Sequence, residues 1–334
     1  MRKIKIAQIG VNLRSHSNEI FGSLKKQSDL FEIVGYVLPE NERERIPYKM
    51  AGLDGVKELS LNDVLDNPEI EAVAIETDEI YLTKYALMAA KAGKHIHMEK
   101  PGGLSADEFE ELVSVMKKTG KVFHVGYMYR YNPFIKEVIS QAKNGEFGEI
   151  ISVEAQMNCT HPASSRQWLE TFSGGMTFFL GCHLVDLILQ IQGEPKKIIP
   201  LNKSSNVDGV TAKDFGMVAF EYENGVSFLK TTAVELGGFA RRQLVVNGTR
   251  ATVELNPLEW YVKDSSKMQT CKITRTTLDW NDFGEKTVSE PFDRYDDMMK
   301  SFAEYVNGEK QNPYTLDYEL NLYKTLQKCC EEKN

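Results

Sequence analysis

The chain has 334 residues, 42% hydrophobic and 26% charged, which is ordinary globular usage and far from that of disordered or fibrous chains. A chain this long normally splits its core, so two domains are expected. A formal net charge of −8 argues against a nucleic-acid partner, and no apolar run approaches the ~18 residues of a membrane helix.

The N-terminal apolar stretch turns polar by Asn12 and is too short for a signal peptide. The five cysteines lack metal-type spacing, so they read as reduced thiols of a cytoplasmic protein. Residues 3–10 then read as a buried strand ending on Gly10. A helix follows near Ser17, with a second strand over 31–38, a short helix over 61–65 and a third strand, Ala72-Val-Ala-Ile75. Residues 83–92 have helical spacing and stop at Gly93, a residue suited to a C-cap. His95-Ile-His-Met98 is a fourth strand, Ser105 and Glu108 spell a capping box for a helix through Lys118, and 122–125 is a fifth strand. Strand and helix alternating in this way predict a doubly wound parallel sheet, a Rossmann dinucleotide-binding domain over 1–125.

From Glu149 the period changes to two, over 150–157, 215–222, 226–234 and 243–246, with Asn224-Gly225 and Asn247-Gly248 as hairpin signals. This predicts an α+β domain over 126–334, built on a large open, mostly antiparallel sheet and closed by a helix over 317–330. Its exposed sheet face is an expected contact for a homodimer or homotetramer.

Three motifs carry a resemblance. The first is Gly93-Lys-His-Ile-His-Met-Glu99-Lys100-Pro101; the second is Gly126-Tyr-Met-Tyr-Arg130-Tyr-Asn-Pro133; the third runs from Trp168 through Gly174-Gly175 to Gly181-Cys-His183-Leu-Val-Asp186-Leu187. In this order they resemble the glucose-fructose oxidoreductase / inositol dehydrogenase (Gfo/Idh/MocA) family. The resemblance implies an NAD- or NADP-dependent oxidoreductase acting on a CH–OH group of a sugar, inositol or related polyol. It places Lys100 and His183 at the chemistry, with Arg130, Tyr129, Trp168 and Asp186 around the substrate. Gly10, Asn12, Leu13, Arg14, Leu38, Thr77, Glu99, Lys100 and Pro101 fall where the cofactor binds.

A lysine just past a parallel strand stands where open α/β sheets bind ligands, and a histidine titrates near the pH at which a hydroxyl proton must move. Each also has a plainer reading, Lys100 as a turn residue beside Pro101 and His183 as a core histidine. Tyr127, Tyr129 and Tyr131 read equally well as packing. Asp186 reads as orienting the imidazole or as packing. His95 and His97 share a strand face, but no third metal ligand is evident.

The chain departs from the family pattern at four places. Asn12 and Ser15 replace the second and third fingerprint glycines, and Leu38 stands where the ribose-binding acid belongs, with Glu40, Arg43 and Arg45 beyond it. Thr77-Asp78-Glu79 keeps only the threonine of the family's Thr-Pro-Asn. Phe179 occupies the position of the family aspartate four residues before the histidine. These departures leave open a non-catalytic sugar- or nucleotide-binding protein on the same scaffold, or an enzyme that retains its cofactor and cycles it between two substrates.

Overall fold

The apolar run that opens the chain forms β1 (Ile4–Ile9), whose Ile4, Ile6, Ala7 and Ile9 are fully buried, in a computed structural model that describes residues 2–14 and 16–331. Strands β2 (Phe31–Val37), β3 (Ala72–Ile75), β4 (His95–Met98) and β5 (Phe123–Val125) join it in one sheet of order β2-β1-β3-β4-β5, parallel throughout. β3 is buried along its whole length, as a strand covered on both faces must be. The chain passes from β1 outward to β2 and then returns across β1 to β3, so the switch point lies between the carboxyl ends of β1 and β3, where doubly wound sheets bind ligands.

The helices of this unit are α1 (Ser17–Lys26), the short α2 (Glu42–Arg45) and α3 (Leu61–Leu65), α4 (Leu82–Lys91) and α5 (Ala106–Thr119). Local chemistry sets their ends. Ser60 and Asp63 form a reciprocal capping box at α3. Ser105 accepts from the Glu108 N–H at 3.2 Å, but the return bond from Glu108 is not formed, so the expected box is half built. Gly120 ends α5 at φ 64°, the left-handed cap that glycine adopts without cost.

The second sheet has eight strands: β6 (Ile150–Asn158), β7 (Lys197–Lys203), β8 (Phe215–Tyr222), β9 (Gly225–Thr232), β10 (Gln243–Gly248), β11 (Thr252–Leu255) and, after the two-stranded ribbon β12 (Trp260–Tyr261) and β13 (Met268–Gln269), β14 (Cys271–Arg275) and β15 (Glu285–Val288). Its order is β15-β14-β11-β10-β6-β9-β8-β7, antiparallel except for the parallel pair β6–β9. Both expected hairpins form, the first displaced by one residue and the second by two: Tyr222 pairs with Gly225, so Glu223 and Asn224 make the turn, and Asn247-Gly248 end β10, so Thr249 and Arg250 make the other. The helices here are α6 (Pro133–Lys143), α7 (Ala163–Trp168) and α8 (Cys182–Gln192). Asn132 caps α6 by accepting from the N–H groups of Phe134 and Ile135, with Pro133 at the first helical position.

The chain closes with α9 (Arg294–Val306) and α10 (Leu316–Cys330). Two units result, Met1–Met128 with Tyr295–Tyr323 and Tyr129–Arg294 with Lys324–Asn334. Residues 295–323, placed with the second domain by the sequence, therefore belong with the first. Phe109 stacks on Tyr323 at 4.2 Å, and the Tyr323 hydroxyl donates to Gly103 O, contacts between distant segments that sequence periodicity does not register.

The paired glycines of the third motif have a steric reason. Gly174 and Gly175 have φ of 77° and 52°, and a Cβ on Gly175 would fall 2.2 Å from the Lys213 carbonyl oxygen. Gly175→Ala combines backbone strain with overlap against main chain, so it should cost at least about 2 kcal/mol. A fall in the urea midpoint with unchanged slope is the expected measurement.

Candidate functional site

At the switch point of the first sheet, Gly10 leaves β1 at φ 90°, and a Cβ there would lie 2.5 Å from Thr77 Cβ. Only glycine lets these two strand ends approach so closely. The turn that follows is held by its own side chains. Asn12 donates from Nδ2 to Thr77 O at 3.1 Å and accepts the Arg14 N–H on Oδ1 at 2.7 Å, while its own N–H donates to Ser17 Oγ at 3.2 Å. Asn12 thus replaces a fingerprint glycine with a residue that braces the turn. Leu13 is partly exposed, and Ser15 lies outside the described residues.

Acid residues crowd the same sheet edge. Glu42 is fully buried: its Oε2 accepts the Val11 N–H at 2.9 Å and its Oε1 accepts from Thr77 Oγ1 at 2.7 Å. Glu76 ends β3 with no hydrogen-bond partner among the described residues, facing His97 Nε2 at 3.5 Å. Glu99 ends β4, and its Oε1 lies 3.7 Å from the Lys100 ammonium nitrogen. Gly126 makes room for Glu99, since a Cβ there would stand 3.0 Å from Glu99 Oε2. Burial pushes Glu42, Glu76 and Glu99 up to about 8, and pushes Glu79 up as well. At about 8, the carboxyls of Glu42, Glu76 and Glu99 are mostly protonated at pH 7. His97, pushed down to about 4 by burial, meets His124 across the β4–β5 pair at 2.9 Å between Nδ1 atoms. His95 Nδ1 instead accepts the Val122 N–H. Among the described residues no group of three or more His, Cys, Asp or Glu is placed to hold a metal ion.

Lys100 is buried just beyond β4, followed by the buried Pro101. Leu38, at the position of the ribose acid, packs against an apolar cluster of Val11, Phe21, Tyr36, Ile46 and Leu53. The charges beyond it are paired: Glu40 Oε1 accepts from Lys84 and Tyr85, Arg45 bridges Asp78 at 2.7 Å, and Arg43 bridges Glu58.

In the second unit the third motif builds a distinctive helix. Thr177–Gly181 is a π-helical turn that runs directly into α8, a widening associated with functional sites. His183 is buried in the first turn of α8, edge-on to the Tyr129 ring at 5.2 Å. Tyr129 is held in turn: its hydroxyl donates to Glu259 Oε1 at 2.7 Å and accepts from Arg242 at 3.1 Å, while Arg294 bridges the same carboxylate. Arg130, expected at the substrate, instead makes a buried two-point ion pair with Asp186 at 3.0 and 2.8 Å, and Gln190 donates to the same carboxylate. Phe179 sits edge-on to Trp168 at 5.1 Å, within an aromatic group completed by Phe172.

Sequence reasoning named Lys100, Thr77, Tyr129 and His183 but not Glu42, Glu76, the His97–His124 contact or the Glu259–Arg242–Arg294 set. The one available signal was an acid directly ending an apolar strand, Ala72-Val-Ala-Ile75 before Glu76. Glu42 gave none, since it lies in a run that reads as a charged loop.

A parallel sheet with a glycine turn at its switch point and a lysine beyond its fourth strand is the architecture of a dinucleotide-dependent oxidoreductase. The chain belongs to the GFO/IDH/MocA oxidoreductase family: its NAD-binding Rossmann-fold model matches residues 4–127 and its C-terminal-domain model matches residues 135–254. The chain is similar to an uncharacterized oxidoreductase of Rhizobium meliloti, at 24% identity over 88% of this chain and 87% of the relative. It is similar to the D-glucoside 3-dehydrogenase of Escherichia coli (strain K12), at 25% identity over 74% of each. The aldose-aldose oxidoreductase of Caulobacter crescentus, solved with glycerol, shares its fold at TM-score 0.77 and 17% identity, over 98% of both chains. No helix among the described residues is long and apolar enough to cross a membrane.

An acid whose pKa rises on folding binds its proton more tightly in the native state, so its contribution to stability is full below the unfolded value and is lost as pH rises through the folded one. Stability should therefore fall between about pH 4.5 and pH 8 as Glu42, Glu76 and Glu99 are forced towards ionisation. Glu76→Gln should melt with wild type near pH 5 and about 3–6 °C above it at pH 8.5, a gap read directly from paired thermal melts.

Proposed function

We propose that the chain is an NAD(P)-dependent oxidoreductase acting on a hydroxyl or keto group of a sugar, inositol or related polyol. The observation that carries this reading is Lys100, an ammonium buried just past β4 at the ligand-binding edge of a family Rossmann sheet. The similarity to the D-glucoside 3-dehydrogenase supports the sugar class.

The residues present fit the cofactor. Gly10 lets the ends of β1 and β3 close together at the switch point, and the N–H groups after it lead into α1, the arrangement that binds phosphate in doubly wound sheets. Gly10, Asn12, Leu13, Arg14, Leu38 and Thr77 would hold the dinucleotide, with Glu99, Lys100 and Pro101 at its reactive end. When bound, a nicotinamide supplies the site that takes or gives hydride. Lys100 would hold the substrate oxygen through its ammonium hydrogens, and His183 would take or return the hydroxyl proton. Tyr129 would fix the imidazole plane, and Arg130 with Asp186 would tie the turn that carries Tyr129 to the helix that carries His183. Trp168 and Phe179 would offer an apolar wall of the kind on which a sugar ring packs.

A non-catalytic sugar- or nucleotide-binding protein is the second reading, favoured by Phe179, whose ring can neither accept a proton nor a hydrogen bond. We also propose that copies associate through the open face of the large sheet, where Ile199, Leu201, Met217 and Val226 are exposed.

Lys100→Met should lower hydride transfer to a polyol panel by about a thousandfold or more while leaving the melting temperature within a few degrees, since the charge is lost and the stem is kept. Undiminished turnover would remove Lys100 from the reaction, and no turnover by wild type on any cofactor and polyol would favour the second reading.

A further inference from the structure

The phosphate turn of this Rossmann unit is already furnished with acceptors from the chain itself. After Gly10, the Val11 N–H donates to Glu42 Oε2 at 2.9 Å, the Asn12 N–H to Ser17 Oγ at 3.2 Å and the Arg14 N–H to Asn12 Oδ1 at 2.7 Å. Two of these bonds are local and brace the turn. The third is not: Glu42 comes from 31 positions further along the chain and is fully buried.

Glu42 arrives on a segment that folds back over α1. Lys25 of α1 donates to the carbonyls of Gly52 and Asp54 at 3.0 and 3.1 Å, and Asn18 Nδ2 donates to Lys49 O at 3.3 Å. Ile46 and Leu53 of the segment seal against Val11, Phe21 and Tyr36. At Gly52 the approach to Asn18 is so close that a Cβ would lie 2.8 Å from its amide carbon. The same segment brings the half-buried Lys49 within 3.4 Å of Ser17 Oγ at the head of α1.

We propose that Glu42 is an intramolecular occupant of the pyrophosphate subsite: its carboxyl takes the Val11 amide and the Thr77 hydroxyl that a dinucleotide phosphate would take, and cofactor binds only as Glu42 withdraws. A carboxyl and a phosphate both present acceptor oxygens to the same N–H donors, so the two cannot fill one cradle together. Displacing Glu42 costs two buried hydrogen bonds in the free protein, and that cost lowers cofactor affinity without altering the contacts made once bound. The segment carrying Glu42 thereby sets the threshold for loading. The inference rests on the family's dinucleotide binding and not on hydride transfer.

The test is calorimetric titration of the full chain at pH 7 with NAD, NADH, NADP and NADPH, using wild type, Glu42→Ala, Glu42→Asp and Glu42→Gln, each checked for a folded melt. Alanine frees the Val11 amide, and aspartate, one methylene shorter, withdraws the carboxyl while keeping its chemistry. Both should bind the preferred dinucleotide about tenfold or more tightly than wild type. Glutamine still reaches the amide and should stay within about threefold of wild type. Should alanine fail to fold, the aspartate variant decides alone. Unchanged or weaker binding by the folded short variants overturns the proposal, as does glutamine binding as tightly as alanine, or no binding by any variant. Tighter binding by the short variants without turnover on any polyol would leave the proposal standing and remove the hydride reading instead.

Discussion

Burying a carboxyl removes it from water at a cost of several kcal/mol unless it is neutralised or fully hydrogen-bonded, and the ligand edge of the first sheet buries four of them. Glu42, Glu76 and Glu99 meet this constraint mainly by holding their protons, and burial pushes Glu79 in the same direction. Glu42 sits in its cradle as an acceptor twice over, from a backbone amide and a threonine hydroxyl. Protonation also changes the character of a surface that the formal charge count reads as strongly acidic. Anionic phosphate near ionised carboxylates would be repelled; near protonated ones it meets dipoles and ammonium groups such as those of Lys49 and Lys100.

The second unit deals with buried charge in the opposite way, by pairing it. Arg130 and Asp186 satisfy one another through two parallel bonds, and Glu259 gathers Tyr129, Arg242 and Arg294 around a single carboxylate. Such sets contribute little net stability over an apolar core, but they fix direction, because breaking any member strands the rest. Here the direction fixed is that of Tyr129, and through its ring edge, of His183.

Much of this was legible from one chain. Five strands of the first sheet declared themselves by short runs rich in apolar residues between helices, because strands covered on both faces must bury most of their side chains. The strands β6, β8, β9 and β10 showed in the two-residue period. β7 did not, for Pro200 interrupts its run, nor did the exposed and charged β15. The hairpin signals missed the turn register because Gly225 opens β9 in the first hairpin, while Asn247-Gly248 close β10 in the second and leave the turn to Thr249 and Arg250. The motifs located Lys100 and His183, yet spacing along a chain carries no information about a carboxyl arriving from a distant loop, so Glu42 was invisible. Arg130 and Asp186 were named from two separate motifs, and their mutual pairing appears only once α8 brings position 186 beside position 130.

The π turn at Thr177–Gly181 bears on how roles pass between relatives. A π turn closes its hydrogen bonds five residues apart instead of four, so it holds one more residue than the α turn it replaces. Counting back four positions from His183 reaches Phe179 only by passing through this wider turn, and the same count through a plain α-helix ends on a different side of the helix. Correspondence across this stretch is thus a question of angle as much as of position. A relative with one residue fewer here would present its histidine rotated by about 100° unless its own helix were wound to match.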